Sequence, residues 1–452
     1  MDIQTLTISS ALEQLRTGTL SAAELSDACF QAIDRLNPAL NAYITVLSPG
    51  QSPASTTSTA ALAGIPIAIK DIYQTEGVLT TAGTTFFKDF IPSQDATVVE
   101  RLKAAGAVIT GKTNTHEIAL GVTGVNPHYG TVRNPWNTEH ITGGSSSGSA
   151  AAVAAGMCLA GLGTDTGGSI RIPASLCGVV GLKPSFGRIS LRGIFPLSWN
   201  LDHAGPLTKS VRDAAILLQV LAGYDEKDPA SINFPVDDYL SRLDAGIAGW
   251  RVGVLTGEYA WEADPEVLET VREAAQVFEK LGAQVQPVEL NFLRQAALAN
   301  SLMTQADGAA FHRDRLQEHP LGFGEDVRLR LQTGASFSSS EYALARRTQT
   351  ETRREMEFFF RDFDVLLLPA TPISAPLIEG NNALEQARRL TRFTAPFNLT
   401  GLPALSMPCG FTSNGLPVGL QLVTPAWSEK KLLQAAQAYE QATDWHNQMP
   451  QL

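Results

Sequence analysis

The chain has 452 residues, of which 44% are apolar and 17% charged, so it can bury a large core and does not belong to the disordered class. The net charge of −11 argues against nucleic acid as a direct partner. The N-terminus lacks the basic and apolar regions of a signal peptide, and no run is long and apolar enough to span a bilayer, so a cytoplasmic protein without a membrane partner is expected.

Two helices are predicted near the N-terminus, where capping residues precede apolar residues at helical spacing. The pairs Ser10 with Glu13 and Ser21 with Glu24 have the pattern of a capping box. A short strand is predicted at 41–46, and the helices within 1–47 are expected to pack on the core. Residues 49–59 are rich in Ser and Thr and predict a mobile surface loop.

Residues 64–71 read GIPIAIKD and predict a strand with its isoleucines on one face. Lys70 lies on the other face among small residues. A lysine at the end of a strand is usually a solvated charge, whereas a buried lysine has a lowered pKa and can act as a general base near neutral pH. The strand alone leaves both alternatives open.

Two Gly/Ser-rich turns, at 143–149 and 164–169, flank an Ala-rich apolar run and carry the hydroxyls of Ser145 and Ser169. Their small residues leave backbone amides uncovered, which suits either an anion or a serine nucleophile with an oxyanion hole. Neither G-x-x-x-x-G-K-[ST] nor G-x-G-x-x-G is present, which disfavours nucleotide binding. A histidine base stays open, because the seven histidines are scattered without a recognisable triad pattern.

The rest of the chain alternates between helical and strand patterns. Helices are predicted at 97–105, 210–222, 264–281 and 429–442, and strands at 107–110, 251–255, 283–287, 364–369, 403–408 and 418–423. Turns are predicted at 111–117, leading into another apolar helix, and at 178–183. Residues 293–363 predict a charged helical layer over the active site. This alternation predicts one α/β domain, 1–452, with a mixed, twisted central sheet and helices on both faces.

Three segments together resemble the amidase signature family: GIPIAIKD at 64–71, GGSSSGSAAAVAAG at 143–156 and GTDTGGSIRIPASLCGVVGLKPSFGRIS at 163–190. The similarity extends over most of the chain, from about residue 6 to 439. It implies the amidase signature fold and hydrolysis of a small carboxamide to a carboxylic acid and ammonia. It also implies that neither a metal nor an organic cofactor is needed, and it allows a homodimer.

The resemblance also implies a catalytic triad and an acyl-enzyme. Ser169 would be the nucleophile, Ser145 would relay the proton after a cis peptide bond to Gly144, and Lys70 would be the terminal base. The backbone amides that would form the oxyanion hole are those of Thr166, Gly167, Gly168 and Ser169. Two further residues beside the nucleophile, Asp165 and Arg171, are expected to hold this loop by hydrogen bonds.

Residues of the substrate pocket are predicted in the segments 119–123 and 195–199 and in the helical region 302–331. The predicted substrate-binding residues are Ala119, Gly121, Phe195 and Trp199. The two aromatic residues would suit an aryl or alkyl amide, whereas an acidic substrate would need an arginine. The arginines considered for that role are Arg313, Arg328 and Arg330.

Two other functions are compatible with the same family. One is the A subunit of a tRNA-dependent amidotransferase, which uses glutamine, but this chain has Thr391 where that subunit typically has an acidic residue that grips the glutamine amino group. The other is a catalytically silent binding subunit, which the intact set of Lys70, Ser145 and Ser169 disfavours. Four scattered cysteines without a C-x-x-C pair predict reduced, buried thiols and no metal site.

Overall fold

A long mixed sheet forms the centre of the computed structural model, which describes residues 3–48, 60–380 and 382–452. Its strands and those of a small hairpin are β1 (Tyr43–Val46), β2 (Pro66–Lys70), β3 (Val108–Thr113), β4 (Arg133–Asn134), β5 (Asn137–Ile141), β6 (Ala160–Asp165), β7 (Val180–Lys183), β8 (His203–Thr208), β9 (Arg251–Leu255), β10 (Gln284–Val288), β11 (Val365–Pro369), β12 (Ala404–Phe411) and β13 (Pro417–Val423).

The main sheet has 11 strands among the described residues, in the order β1-β3-β2-β6-β8-β7-β12-β13-β11-β9-β10, and β4 pairs only with β5. Strand β2 is parallel to both β3 and β6, and β9 is parallel to both β10 and β11, while the other neighbours in the main sheet are antiparallel. The predicted parallel pair of 251–255 with 283–287 is confirmed by β9 and β10.

Helices cover both faces of this sheet. They are α1 (Ile8–Thr17), α2 (Ala22–Leu40), α3 (Thr97–Ala104), α4 (Ser147–Ala154), α5 (Arg171–Cys177), α6 (Val211–Leu221), α7 (Pro265–Lys280), α8 (Leu293–Phe311), α9 (Arg313–Glu318), α10 (Glu325–Ser336), α11 (Ser339–Asp362), α12 (Ala383–Leu390), α13 (Ala395–Thr400) and α14 (Glu429–Gln441). Along β2, Ile67 and Ile69 pack in one apolar cluster and Ala68 in another, as the alternation of a strand requires. The predicted single α/β domain with a mixed sheet is therefore confirmed.

Three local predictions were wrong. Residues 111–113 were expected in a turn but extend β3, and only a single 3-10 turn, Glu117–Ala119, follows where an apolar helix was expected. Residues 180–183 form β7 and not a turn. The cap of α1 is Thr7, with Ser10 inside the helix, whereas the box of Ser21 and Glu24 is confirmed. The loop predicted at 49–59 lies outside the described residues.

The described chain has no helix that is both long enough and apolar enough to cross a membrane. All four cysteines are free and buried, in agreement with the prediction.

Candidate active site

Lys70 stands at the end of β2 and is completely buried. Its Nζ donates hydrogen bonds to Ser145 Oγ at 2.7 Å and to Thr164 Oγ1 at 2.8 Å. No carboxylate in the described part of the chain lies within ion-pair distance of it. Of the two alternatives that the sequence left open, the structure therefore shows the buried lysine.

The surroundings of Lys70 favour its neutral form. Burial lowers the pKa of the ammonium to about 7, although the carboxylates of Asp202 and Asp165 pull it upward. A lysine with such a pKa is partly unprotonated near neutral pH and can accept a proton from the Ser145 hydroxyl that it contacts. This property suits a general base.

We expect activity to rise with pH through about 7, because protonated Lys70 cannot accept a proton. Below that value kcat/KM should fall about tenfold per pH unit. The measurement is kcat/KM between pH 5.5 and 9. Replacing Asp202 by Asn removes a charge that raises the pKa of Lys70, so the rising limb should move to lower pH. A flat profile between pH 6 and 8 would contradict the base role.

The turn that carries Ser145 packs directly against the loop of Ser169. The peptide bond between Gly144 and Ser145 is cis, as the resemblance implies. The carbonyl of Ser145 accepts hydrogen bonds from His116 N at 3.2 Å and Thr115 Oγ1 at 2.8 Å. One residue later, Ser146 N donates to Ser169 O at 3.2 Å. These bonds fix the two serine-bearing backbones beside each other.

The loop 166–169 presents free backbone amides. None of the amides of residues 167–169 donates a hydrogen bond to any described residue. The carbonyls of the loop are held instead: Asn300 Nδ2 donates to Thr166 O at 3.1 Å and Thr394 Oγ1 donates to Gly167 O at 2.7 Å. Gly168 has a φ of 136°, and a Cβ there would collide with the Thr394 side chain. The arrangement leaves donors available for an oxyanion, as expected from the small residues.

A buried ion pair between Asp165 and Arg171 flanks the same loop. Arg171 donates to Asp165 from Nε at 3.0 Å and from Nη2 at 2.8 Å, and both side chains are fully buried. Arg171 also donates to Asn398 and Gln421, each at 2.6 Å. Burial alone would raise the pKa of Asp165, but the Arg171 guanidinium outweighs it and holds the pKa well below its usual range. The two residues lie where the sequence placed them, flanking Ser169.

Asp202 is a member of this site that the sequence analysis did not single out. Its carboxylate accepts hydrogen bonds from Thr166 Oγ1 at 2.6 Å, Leu197 N at 2.8 Å and Ser198 N at 3.1 Å. Burial raises the pKa of Asp202 to about 6, although these hydrogen bonds lower it. In the sequence it stands directly before the start of β8, between Leu201 and His203.

A cavity of about 420 Å³ opens at Ser169. The predicted residues Ala119 and Gly121 line it, together with Thr166, Gly167 and Thr391. Four arginines line it as well, and they are Arg294, Arg330, Arg388 and Arg392. Among the described residues, no aspartate or glutamate lines this cavity.

The arginines differ in how they are neutralised. Glu262 pairs with Arg294 at 2.6 Å and also with Arg392. The side chain of Arg330 donates to the carbonyls of Leu120 and Ala383 but has no ion pair in the described chain. The side chain of Arg388 has neither a hydrogen bond nor an ion pair there. Of the three arginines predicted for an acidic substrate, only Arg330 reaches the cavity; Arg313 and Arg328 do not line it.

Phe195 and Trp199 line a neighbouring cavity of about 560 Å³ and not the one that contains Ser169. The two cavities share Ala119, Thr166 and Leu197 in their walls. The predicted substrate-binding residues are thus divided between two adjoining spaces.

Known proteins resemble this chain over nearly its whole length. The sequence model of the family described as Amidase matches residues 24–433. The A subunit of glutamyl-tRNA(Gln) amidotransferase from Syntrophus aciditrophicus (strain SB) is 41% identical, over 97% of this chain and 98% of that protein.

Solved structures agree in fold. The A subunit of glutamyl-tRNA(Gln) amidotransferase from Thermotoga maritima superposes with a TM-score of 0.88 and 35% identity, covering 98% of this chain and 95% of that chain. A chain from a vestigial protein complex that reveals the origins of an s-triazine catabolic enzyme superposes with a TM-score of 0.89 and 33% identity, covering 96% and 98% respectively.

Proposed function

We propose that this chain, which belongs to the amidase family, hydrolyses a small carboxamide that carries a carboxylate on its acyl side. As a member of this family, the chain is a hydrolase that acts on C–N amide bonds. The observation that carries the proposed substrate is the cavity at Ser169, where four arginines and no described acidic side chain form the wall. In this proposal the helices of 293–363 cover the active site, with α8 and α10 supplying part of that wall.

The proposed reaction proceeds through an acyl-enzyme. Neutral Lys70 accepts a proton from Ser145, which takes one from Ser169. The Ser169 Oγ attacks the amide carbon, and the oxyanion is stabilised by the free amides of 167–169. The proton returns through the same relay to the nitrogen, and the C–N bond breaks as ammonia leaves. Water then repeats the sequence and releases the carboxylic acid. Apart from this water, each step uses only side chains and amides of this chain.

The curated relatives support a second candidate, the A subunit of a glutamyl-tRNA(Gln) amidotransferase, better than a stand-alone amidase, because proteins with that name are 41% and 40% identical over nearly all of the chain. Glutamine has a carboxylate that the arginines would bind. Its ammonium group has no acidic partner in the cavity wall, where Thr391 stands. Similarity thus favours glutamine, while the charge of the cavity favours an amide without an ammonium group.

Ammonia release from three amides distinguishes these candidates: succinamate, glutamine and the uncharged butyramide. Succinamate turnover without glutamine turnover supports the stand-alone amidase. Glutamine turnover that exceeds succinamate turnover supports the amidotransferase candidate. A preference for butyramide over both anionic amides would contradict the proposed substrate class.

Arg388→Gln should lower kcat/KM for succinamate about ten- to hundredfold, because a charge-assisted hydrogen bond contributes about 1.5–3 kcal/mol. Butyramide, which has no carboxylate, should be affected far less. The matched control is Arg389→Gln on the same helix, since Arg389 pairs with Asp264 at 2.7 Å and does not line the cavity. Equal losses for the charged and the uncharged amide would contradict an anion-binding role for Arg388.

A further inference from the structure

The cavity that contains Phe195 and Trp199 lies beside the proton relay. Thr164 forms part of its wall, and the Thr164 hydroxyl accepts a hydrogen bond from Lys70 at 2.8 Å. Ser169 and the four arginines described above, by contrast, line only the first cavity. The space around the nucleophile loop is therefore divided into an arginine-lined side and a side next to the base.

This division matches the two halves of an amide. The leaving nitrogen must receive its proton from the relay, so it has to face Lys70 and Ser145. The acyl group faces the opposite side of the carbonyl carbon, where the arginines are. An amide bound in this orientation directs any substituent on its nitrogen toward the second cavity.

The second cavity has a suitable size and polarity for such a substituent. Its volume of about 560 Å³ far exceeds the space that an ammonia molecule, similar in size to a water of about 30 Å³, requires. Its wall includes the apolar and aromatic residues Ile72, Leu191, Ile194, Phe195, Trp199 and Ala230. Phe195 stacks on Phe87 with ring centroids 4.4 Å apart, which fixes part of this wall.

The two cavities also differ in charge, because four arginines and no described acidic residue line the first, whereas Asp202 and Asp228 line the second together with Arg192 and Lys227. Asp202 lines the second cavity beside the relay and is absent from the first. Arg192 at its rim is already paired with Glu100 at 2.7 Å and with Asp225 at 3.2 Å. A carboxylate is therefore favoured on the side of the four arginines, whereas the mixed charges and apolar wall of the second cavity are compatible with an amine that carries an apolar substituent.

We propose that this second cavity binds the amine portion of the substrate, so that the enzyme also cleaves secondary amides whose nitrogen carries an aryl or arylalkyl group. The inference rests on the proposed acyl-enzyme function. In the step, the Ser169 Oγ–acyl bond forms, the C–N bond breaks, and the relay returns one proton to the nitrogen, which leaves as a primary amine. Water then releases the acid, and no other reactant is needed.

The test compares succinamate with N-benzylsuccinamate, which share one acyl group, in two matched variants. Ala230→Phe narrows the second cavity, and Ala297→Phe narrows the first. Ala230→Phe should lower kcat/KM for N-benzylsuccinamate about tenfold or more, and for succinamate less than about threefold. Ala297→Phe should lower both values by a similar factor. Benzylamine, ammonia and succinate are measured by chromatography.

The outcomes separate this inference from the proposed function. Hydrolysis of succinamate but not of N-benzylsuccinamate by the unmodified enzyme overturns the inference and leaves the proposed function intact. Hydrolysis of N-benzylsuccinamate alone supports the amine cavity and overturns ammonia release from the primary amide. Equal losses for both substrates in Ala230→Phe overturn the inference, and failure to hydrolyse either substrate overturns both proposals.

Discussion

Replacing Ser169 by Ala is expected to lower kcat about 10⁴-fold or more, because no acyl-enzyme can form without its hydroxyl. The loop 166–169 and both cavities remain in this variant, so substrate should still bind. Ammonia release from succinamate measures the loss, and mass spectrometry of the unmodified enzyme with a slowly hydrolysed amide should show an acyl adduct on Ser169. Unchanged turnover in Ser169→Ala would overturn the assignment of the nucleophile.

Ser175→Ala is the matched control for this substitution. Ser175 lies six positions later in α5, is fully buried, and forms a hydrogen bond with the hydroxyl of Thr371 at 3.1 Å. It lines neither cavity. The loss of one buried hydrogen bond should lower the free energy of unfolding by about 1 kcal/mol and leave kcat within about twofold. A comparable loss of kcat in both variants would indicate general disruption of α5 and not removal of a nucleophile.

The position of the candidate site could be predicted from the sequence because its residues lie in short, distinctive segments that resemble the amidase signature family. Ser145, Ser169, Asp165 and Arg171 fall within 27 consecutive positions of the chain, between 145 and 171. Lys70 ends a predicted strand, but the strand pattern left its burial open, and only the resemblance to the amidase signature family favoured the buried lysine. The local patterns predicted strand β2 and the two glycine-rich turns, whereas the resemblance, and not the patterns, predicted that the three elements lie together.

The lining of the cavity at Ser169 was not predictable in the same way. Arg388 lies on α12 and Arg294 on α8, and they line the same cavity as Ser169 only because helices distant in the sequence pack together. Each arginine on its own resembles a solvated surface charge. Asp202 was missed for a similar reason, because its partners Thr166 and Leu197 are brought together by the pairing of β6 with β8 and by the loop before β8.

The error at 111–117 has a different physical cause. Gly111 was interpreted as part of a turn, but it lies within β3 with a φ of 155°. A Cβ at this position would collide with the backbone carbonyl of Thr45 in β1. The glycine therefore allows two strands to approach closely, and a single sequence does not distinguish this use of glycine from a turn.

Two buried lysines on neighbouring strands provide the second major prediction. Lys70 on β2 and Lys112 on β3 are both fully buried, and Lys112 pairs in register with Ile69. Lys112 forms an ion pair with Asp71 at 3.3 Å and donates to Tyr73 O and Thr80 Oγ1, each at 2.6 Å. The hydrogen bonds of Lys70 go instead to two neutral hydroxyls. The same substitution at the two positions should therefore have opposite consequences.

Lys70→Met should lower kcat about 10³-fold or more, because the relay loses its base, while the free energy of unfolding changes by less than about 2 kcal/mol. The stability of Lys70→Met should be unchanged or higher than that of the unmodified protein. Burial lowers the pKa of Lys70 from 10.5 to about 7, so below pH 10.5 the unfolded chain binds a proton more tightly than the folded chain does. This difference opposes folding, and the substitution removes it. Kinetics and chemical denaturation of each variant measure the two effects.

Lys112→Met should instead lower the free energy of unfolding by about 3–5 kcal/mol, because it leaves the carboxylate of Asp71 buried without its counter-charge. The fraction that remains folded should retain kcat within about threefold, since Lys112 contacts neither serine of the proposed triad. If Lys70→Met unfolds the protein to the same extent as Lys112→Met, the role of Lys70 is at least partly structural. If Lys70→Met leaves a stable but inactive protein, burial without an ion-pair partner is what makes Lys70 a base.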